Sequence, residues 1–141
     1  MVRLFYETVH AINIKDYTEE QVNCWADGNI DYREWDASFR KHLTYVAFEN
    51  ETIVGFGDID ETGYLDRLYV HKDYQGCGVA TAICNRLESE TRSERVTVHS
   101  SITAKSFFEK RGYHLIREQG VNRQGVILLN YIMAKQLVPT L

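Results

Sequence analysis

Two glycines, Gly76 and Gly78, lie in a short loop between a β-rich run and an amphipathic segment, and this order constrains the fold most. Residues 64–70 are rich in β-forming side chains, whereas apolar residues recur every four positions from Val79 to Leu87. Glycine adopts positive φ angles freely, so successive N–H groups of such a loop can point into one concavity. We therefore predict a strand, a glycine loop and a helix, with an anion site where the helix begins.

The segments that flank this unit predict a mixed sheet. Residues 43–48, 52–59 and 64–70 are β-rich runs joined by short turns, which is typical of an antiparallel meander. After the helix, residues 95–98 return as a strand, and strand–helix–strand units cross over in the right-handed sense. A short helix and a hairpin are predicted for the C-terminal part, at residues 104–111, 113–118 and 126–133.

The first 42 residues are more weakly patterned. Residues 2–6 predict an edge strand, and residues 7–42 predict two or three short helices, one of them beginning at Thr18 with acidic residues in its first turn. Strands and helices together place the chain in the α/β class, and the sheet is expected to mix parallel and antiparallel strands as in α+β folds.

Length and charge narrow the classes of function. With 141 residues the chain predicts a single domain, residues 1–141, and 16 Lys+Arg against 20 Asp+Glu give a formal net charge of -4. This balance argues against nucleic acid and anionic membranes as partners and suits a small cationic one. No apolar run reaches the ~20 residues of a membrane span, and we expect a cytoplasmic protein. The three cysteines lack zinc-ligand spacing, so we expect no metal.

The glycine loop by itself leaves several functions open. Gly78-Val79-Ala80 lacks the lysine and hydroxyl residue of a triphosphate-binding P-loop, and the dinucleotide motif Gly-x-Gly-x-x-Gly is not matched either. An ordinary glycine turn without a ligand is one alternative, and an oxidoreductase with a nucleotide-binding loop is another.

Two longer motifs resemble those of the GNAT superfamily of N-acetyltransferases. Leu68-Tyr69-Val70 followed by Gln75-Gly76-Cys77-Gly78-Val79-Ala80 is similar to the acetyl-CoA signature Gln/Arg-x-x-Gly-x-Gly/Ala of that family. The segment from Ser101 to Tyr113 is similar to its Asn-x-x-Ala-x-x-Phe-Tyr-x-x-x-Gly-Phe element. The resemblance covers essentially the whole chain, and the chain looks most like the small single-domain bacterial members of the family. It implies a roughly seven-stranded mixed sheet flanked by helices on both faces.

The resemblance implies acetyl-CoA as the cosubstrate. The backbone amides of the loop would hold its pyrophosphate, namely those of Gln75, Gly76, Cys77, Gly78, Val79 and Ala80. Leu68, Tyr69 and Val70 would bind pantetheine through their backbone as a pseudo-strand, although their side chains fit a core equally well. Ser101 would contact pantetheine or an ordered water, or cap a helix, and Lys105 would meet the 3′-phosphate or face solvent.

Phe108 departs from the family pattern. Many relatives carry a tyrosine there that protonates the departing thiolate. Phenylalanine has no ionisable group, so Phe108 is predicted only to contact the cofactor. This departure motivates a rival function from another class, a CoA-binding module without catalysis.

Acidic residues along the β-rich runs are the candidates for catalysis. Period-two alternation puts Tyr64, Asp66 and Leu68 on one face, with Asp58 and Asp60 as neighbours on the preceding run. An attacking ammonium must first lose a proton, and we predict Asp66 as the acceptor, directly or through water. Tyr64 falls where some relatives carry a basic glutamate, so it is predicted to contact substrate or shuttle the proton. In the alternative, Asp66 pairs with a basic neighbour or faces solvent.

The predicted function is transfer of the acetyl group of acetyl-CoA to a primary amine, by direct attack in a ternary complex. The acceptor is a small molecule, a peptide or a protein. The resemblance places His10 and Trp25 in the region that lines the acceptor pocket, with helical core as the alternative for Trp25. We expect a homodimer, if one forms, to use residues 130–138.

Overall fold

Six strands form one mixed sheet in the order β1-β2-β3-β4-β6-β5. The computed structural model describes residues 1–137. In chain order the strands are β1 (Leu43–Glu49), β2 (Thr52–Ile59), β3 (Tyr64–Val70), β4 (Arg95–Ser100), β5 (His114–Arg123) and β6 (Val126–Gln136). The first three form the predicted antiparallel meander, β4 lies parallel to β3, and β5 and β6 form the predicted hairpin. The strand count over the described residues is therefore six, where the resemblance implied about seven.

The N-terminal segment is a helix, so the edge strand expected at residues 2–6 is wrong. Helix α1 (Val2–Ala11) buries Leu4, Phe5, Thr8 and Val9. This spacing of one, four and five residues marks a single face of a helix. Aromatic and β-branched side chains favour a strand locally, but packing of this face against the sheet decides the conformation.

Four more helices follow, and the predicted set of short helices before residue 43 is confirmed. They are α2 (Glu19–Trp25), α3 (Tyr32–Lys41), α4 (Val79–Glu90) and α5 (Lys105–Lys110). Thr18 caps α2 in a capping box with Gln21, and the Asp31 carboxylate accepts the first free N–H groups of α3. Within residues 1–137, no helix has both the length and the apolar character needed to cross a bilayer.

Helices cover both faces of the sheet, as expected. On one face α4 and α5 pack over a core whose large buried members are Ile83, Leu87, Ile59, Leu65, Phe108 and Met133. On the other face α1 and α2 enclose a second core with Phe5, Val9, Val22, Phe56 and Leu128. The sheet thus separates two apolar layers, and burial of both stabilises the domain.

Gly55 and Gly57 allow α4 to lie unusually close to β2. A Cβ atom built on Gly55 would lie 2.6 Å from Val79 Cγ1, and one on Gly57 would lie 2.9 Å from Ile83 Cγ2. Larger residues at these positions would push the start of α4 away from the sheet. The two glycines therefore help to set where the glycine loop before α4 stands.

Strand β6 lies inside the sheet, between β4 and β5. Residues 131–134 pair on both sides, whereas Asn130 pairs with β5 alone and residues 135 and 136 pair with β4 alone. Most of the segment expected at a dimer contact, residues 130–138, therefore has no free strand edge. Val138, the last residue of that segment, lies outside the described part of the chain. Strand β5 is the outer strand at this end of the sheet.

Candidate active site

Strands β3 and β4 separate after a short contact. Their parallel ladder contains two residue pairs, Tyr64 with Thr97 and Leu65 with Val98. Beyond them the strands diverge and leave a cavity of about 530 Å³ that continues to the glycine loop and the start of α4. A gap between adjacent strands exposes unpaired backbone groups to which an extended ligand can bind.

The backbone of β3 offers part of its polar groups to this gap. The His71 N–H donates to the Val54 carbonyl (2.8 Å), so alternation turns the backbone groups of Tyr69 toward β2 and those of Leu68 and Val70 toward the gap. The Val70 carbonyl already accepts from Thr8 Oγ1 at 2.9 Å and from Gln75 Nε2 at 2.8 Å. The N–H and C=O of Leu68 and the N–H of Val70 therefore face the gap.

The glycine loop adopts the conformation that its sequence predicts. Gly76 and Gly78 have φ angles of +73° and +83°, and a Cβ atom at either position would meet nothing within 4 Å. Gly78 is the N-terminal cap of α4, and the first helical hydrogen bond runs from the Ala82 N–H to the Gly78 carbonyl. The preceding amides are left without helical partners, in an open position that suits an anion.

Most of the residues predicted to bind the cofactor line this cavity, namely Leu68, Tyr69, Val70, Gln75, Gly76, Gly78, Val79, Ala80, Ser101 and Phe108. Cys77 is exposed and is not part of the lining, and its thiol contacts the Gln75 carbonyl oxygen. Lys105 also lies outside the lining, and its ammonium packs over the Tyr131 ring, 4.7 Å from the centroid.

Ser101 and Phe108 have structural contacts besides their place in the cavity wall. Ser101 Oγ accepts the Ala104 N–H at 3.1 Å, so the capping alternative holds for the turn before α5. Phe108 is only 2% exposed and packs edge-on against Tyr113, with ring centroids 5.0 Å apart. Phe108 thus presents a buried apolar ring to the cavity.

A β-bulge places Asp66. Asp58 pairs with Arg67 and Ile59 pairs with Leu65, so Asp66 is the extra residue of β3 without a partner on β2. The prediction that Tyr64, Asp66 and Leu68 share one face is therefore wrong. Simple alternation fails at the bulge. Leu65 and Leu68, which lie before and after Asp66, both belong to the core beneath α4.

Asp58 is a buried ion-pair partner and not part of an acidic surface for the acceptor, contrary to expectation. Its side chain is fully buried and accepts from Arg67 Nε at 3.0 Å, from Arg67 Nη2 at 2.5 Å and from His42 Nδ1 at 2.7 Å. Ligand atoms of His42, Asp58 and Asp66 lie within 4.8 Å of one another, as a metal site would need. The Arg67 guanidinium already supplies the positive charge to Asp58, so we interpret the group as an ion-pair network.

Asp60 also serves the local backbone. Its Oδ1 accepts from the N–H groups of Thr62 and Tyr64, at 2.9 and 3.0 Å, and thereby holds the turn before β3. Of the three carboxylates expected near an amine, only Asp66 remains on a cavity wall, with 37% of its side chain exposed.

A second pocket of about 200 Å³ adjoins the larger cavity. Five residues line both: Trp25, Asp66, Tyr69, His99 and Ser101. Tyr64 lies on the wall of the second pocket only, together with side chains from β5 and β6. Asp66 therefore stands where the two spaces meet. Trp25 lines both pockets and also packs against the second core, so both alternatives for it stay open.

The predicted acceptor contact His10 lies elsewhere. His10 Nε2 donates to the Ala26 carbonyl at 2.8 Å, and its ring packs against that of Tyr6. Neither pocket includes it in its lining. His10 thus connects α1 to the end of α2, and the prediction that it contacts substrate has no support in the geometry.

The environment changes the proton affinity of three side chains at the junction. Partial burial, followed by the charge of Asp58, raises the pKa of Asp66. Burial, with Asp66 and Asp60 nearby, raises the pKa of Tyr64 to about 12, so its hydroxyl is protonated at neutral pH. Partial burial and then Arg117 lower the pKa of His99, which favours a neutral imidazole. A basic carboxylate and a neutral imidazole are both suited to accept a proton.

Sequence reasoning missed His99 and Thr103. His99 lies on β4, its ring 5.0 Å from the Tyr64 ring, and no motif marks it because the register between β3 and β4 brings it to the junction. Thr103 lines the larger cavity, and its buried Oγ1 has no hydrogen-bond partner among the described residues. A buried hydroxyl without a partner facing a cavity is a candidate ligand contact.

This geometry is that of a known family. A model of the acetyltransferase (GNAT) domain matches residues 13–135. The chain belongs to the GNAT acetyltransferase family. The resemblance inferred from the two motifs is therefore confirmed, as are the mixed α/β fold and the helices on both faces of the sheet.

Individual relatives of this GNAT acetyltransferase agree with the assignment. The uncharacterized N-acetyltransferase YafP of Escherichia coli K12 is 35% identical over 130 residues, which cover 92% of this chain and 83% of YafP. The crystal structure of a GCN5-related N-acetyltransferase from Rhodopseudomonas palustris superimposes with a TM-score of 0.91 at 32% identity, over 96% of this chain and 87% of that one. YncA of Salmonella typhimurium has the same fold, with a TM-score of 0.71 at 18% identity over 99% and 88% of the two chains.

Proposed function

We propose that this GNAT acetyltransferase transfers the acetyl group of acetyl-CoA to a primary amine, by direct attack within a ternary complex. One observation carries the proposal: the gap between β3 and β4 leads, in a single cavity, from the amides at the start of α4 to the Asp66 carboxylate. An anion site at one end and a proton acceptor at the other are what this reaction needs.

Acetyl-CoA would lie along the gap. Its pyrophosphate would bind the amides of the loop between Gln75 and Ala80, and its pantetheine amides would pair with the backbone of Leu68 and Val70. Thr103 Oγ1, which has no hydrogen-bond partner within residues 1–137, adds a hydroxyl to that wall. In support, YncA was solved with acetyl-CoA, and PaiA from Thermoplasma acidophilum, a chain with the same fold, was solved with coenzyme A.

The acceptor amine would enter through the second pocket and meet the thioester at Asp66. The ammonium gives a proton to Asp66, directly or through a water, with His99 beside it as a second acceptor. The free amine attacks the thioester carbonyl, the new C–N bond forms, and the C–S bond breaks as CoA thiolate leaves. The second proton that the nitrogen loses on becoming an amide passes through water to this thiolate, which is released as the thiol. Holding the two reactants in one cleft supplies on the order of 7 kcal/mol of the barrier.

The second candidate function is a CoA-binding module without catalysis. Phe108 favours it, because this buried ring replaces the acid that protonates the thiolate in many relatives. A thiolate leaves without prior protonation at neutral pH more readily than an alkoxide does, since a thiol has a reference pKa of about 8.5. A missing acid therefore slows the reaction but does not prevent it.

Steady-state transfer to a panel of amines, followed by release of free CoA thiol, separates the two functions. Asp66→Asn is expected to lower kcat/KM by about 10²- to 10⁴-fold, with acetyl-CoA affinity little changed, because it removes the proton acceptor. Asp36→Asn is the matched control, since Asp36 is exposed on α3 and lines neither pocket. Acetyl-CoA binding with no transfer to any amine would establish the non-catalytic module instead.

A further inference from the structure

The second pocket presents opposite charges to one small space, and we propose that its ligand is an amine that also carries an anionic group, such as a free amino acid. The proposal rests on the transferase function for the fate of the amine, and it adds the chemical class of the acceptor. The ammonium would lie toward Asp66 and the anion toward Arg123, with the rest of the molecule against the apolar wall between them.

The two charges that face this pocket are poorly matched by partners among residues 1–137. The cation nearest to Asp66 is Arg67, at 3.8 Å, and Arg67 is already engaged by Asp58. Across residues 1–137 no carboxylate lies within 4.0 Å of the Arg123 guanidinium. A ligand with one positive and one negative group would supply a partner to each.

Asn130 adds an independent sign of a ligand. Its Oδ1 atom is buried, faces no hydrogen-bond donor among the described residues, and belongs to a residue that lines the same pocket. A buried carbonyl oxygen without a donor has lost its hydrogen bonds to water without replacement, so such atoms are rare unless a ligand or water satisfies them. An ammonium or amide N–H of the ligand would do so.

The remaining wall is partly apolar and aromatic. Tyr17, Trp25, Tyr69, Val121 and Leu128 supply that part, beside the polar side chains of Tyr64, His99 and Ser101. The Tyr17 hydroxyl donates to the Leu129 carbonyl at 2.7 Å and accepts the Ile102 N–H at 2.9 Å, so this ring offers its face and not its hydroxyl. A compact aliphatic or aromatic side chain fits such a wall.

The charges of Asp66 and Arg123 act on the same third group. The pKa of Tyr64 is raised by burial, raised further by Asp66 and lowered by Arg123. Tyr64, Asp66 and Arg123 line the same pocket, so a ligand there meets both charges. An acceptor with two ammonium groups, such as a polyamine, would bring one of them against Arg123 and be disfavoured.

Pairs of acceptors that differ only in the carboxylate test the proposal. Phenylalanine is compared with phenethylamine, and leucine with 3-methylbutylamine, in transfer assays on the wild type and on Arg123→Gln. The wild type is expected to prefer each acid at least about tenfold in kcat/KM, since one charge-assisted contact is worth about 1.4 kcal/mol or more. Arg123→Gln should abolish that preference, whereas Arg33→Gln, on exposed α3 and away from both pockets, should retain it.

Binding without turnover provides the second readout. Trp25 lines the pocket, so its fluorescence reports occupancy by the acids and the amines in the absence of acetyl-CoA. If the acids bind more tightly than the matching amines, and this difference depends on Arg123, the ligand class is supported even when nothing is acetylated. In that case only the transferase function fails. Equal binding and equal transfer of acid and amine, or equal behaviour of the wild type and Arg123→Gln, would overturn the proposal.

Discussion

Replacing Asp58 by asparagine should destabilise the protein strongly. Asp58 is fully buried and takes two hydrogen bonds from Arg67 and one from His42. The Asp58→Asn side chain has no charge and offers an NH₂ group to a guanidinium that cannot accept a hydrogen bond. The Arg67 side chain, only 11% exposed, would keep its charge, and its remaining close neighbours are Ser38, two aromatic rings and the part-exposed Asp66 carboxylate at 3.8 Å.

The size of the effect follows from this burial. Breaking a buried pair while its cation stays in place costs about 3–5 kcal/mol. With 141 residues and an unfolding entropy of about 2.1 cal/mol/K per residue, this corresponds to a fall in Tm of about 10–17 °C. Ser38→Ala removes one acceptor from Arg67, at 2.6 Å, and should cost less, about 1–3 kcal/mol.

Thermal unfolding by circular dichroism, with chemical unfolding in guanidinium chloride as a check, measures these losses. The matched control is Asp36→Asn, which breaks an exposed pair with Arg40 whose side chains are 63% and 79% exposed. That pair should contribute less than about 1 kcal/mol. The predicted order of destabilisation is Asp58→Asn, Ser38→Ala, Asp36→Asn. Similar small losses for Asp58→Asn and Asp36→Asn would refute the reasoning.

Two predictions concern pH. Burial raises the pKa of Glu88, but hydrogen bonds from Lys135, Tyr113 and Arg111 outweigh burial, so the pKa of Glu88 is lowered in the folded state. Glu88 therefore stabilises the fold above about pH 4.3, the reference pKa of an unfolded chain. This contribution is lost as the pH falls through the folded pKa. The Tm advantage of the wild type over Glu88→Gln should therefore shrink on acidification, and a constant difference would contradict it. Because the pKa of Asp66 is raised, kcat/KM should start to fall, as the pH is lowered, at a pH above the ordinary aspartate pKa of about 3.9. Asp66→Asn should lack this acid limb, and an unchanged limb would exclude Asp66 as the base.

The parts that sequence predicted well are those with local causes. The glycine loop was predictable because Gly76 and Gly78 lie between a β-rich run and a helical repeat, and both do adopt positive φ angles. The meander and the hairpin follow likewise from short turns between β-rich runs. Two motifs, one at the glycine loop and one from Ser101 to Tyr113, are enough to indicate the family.

The errors have non-local causes. Residues 2–6 looked β-forming, but burial of Leu4 and Phe5 against the sheet makes them helical. A bulge at Asp66 shifts the side-chain alternation of β3, and a bulge depends on the pairing with β2, which the sequence of β3 does not contain. Asp58 looked like one more surface carboxylate, because spacing along the chain does not reveal its spatial contact with Arg67 and His42.

The second pocket was the least predictable part of the site. Its wall combines Trp25 from α2, Arg123 from the end of β5 and Asn130 from β6, three positions far apart in the chain. They meet because β6 lies between β4 and β5, a strand order that no local pattern encodes. His99 reaches the same place through the short parallel contact of β4 with β3.

Isothermal titration with acetyl-CoA tests the central claim, that the amides around Gly78 hold the cofactor. Gly78 and Gly125 have φ angles of +83° and +84°, and a Cβ atom at either meets nothing within 4 Å, but Gly125 lies in the turn between β5 and β6. Alanine should strain both turns alike, by about 1 kcal/mol. We predict that the wild type and Gly125→Ala bind acetyl-CoA equally and that Gly78→Ala binds about tenfold more weakly. No binding to the wild type, or equal losses in both variants, would contradict the account.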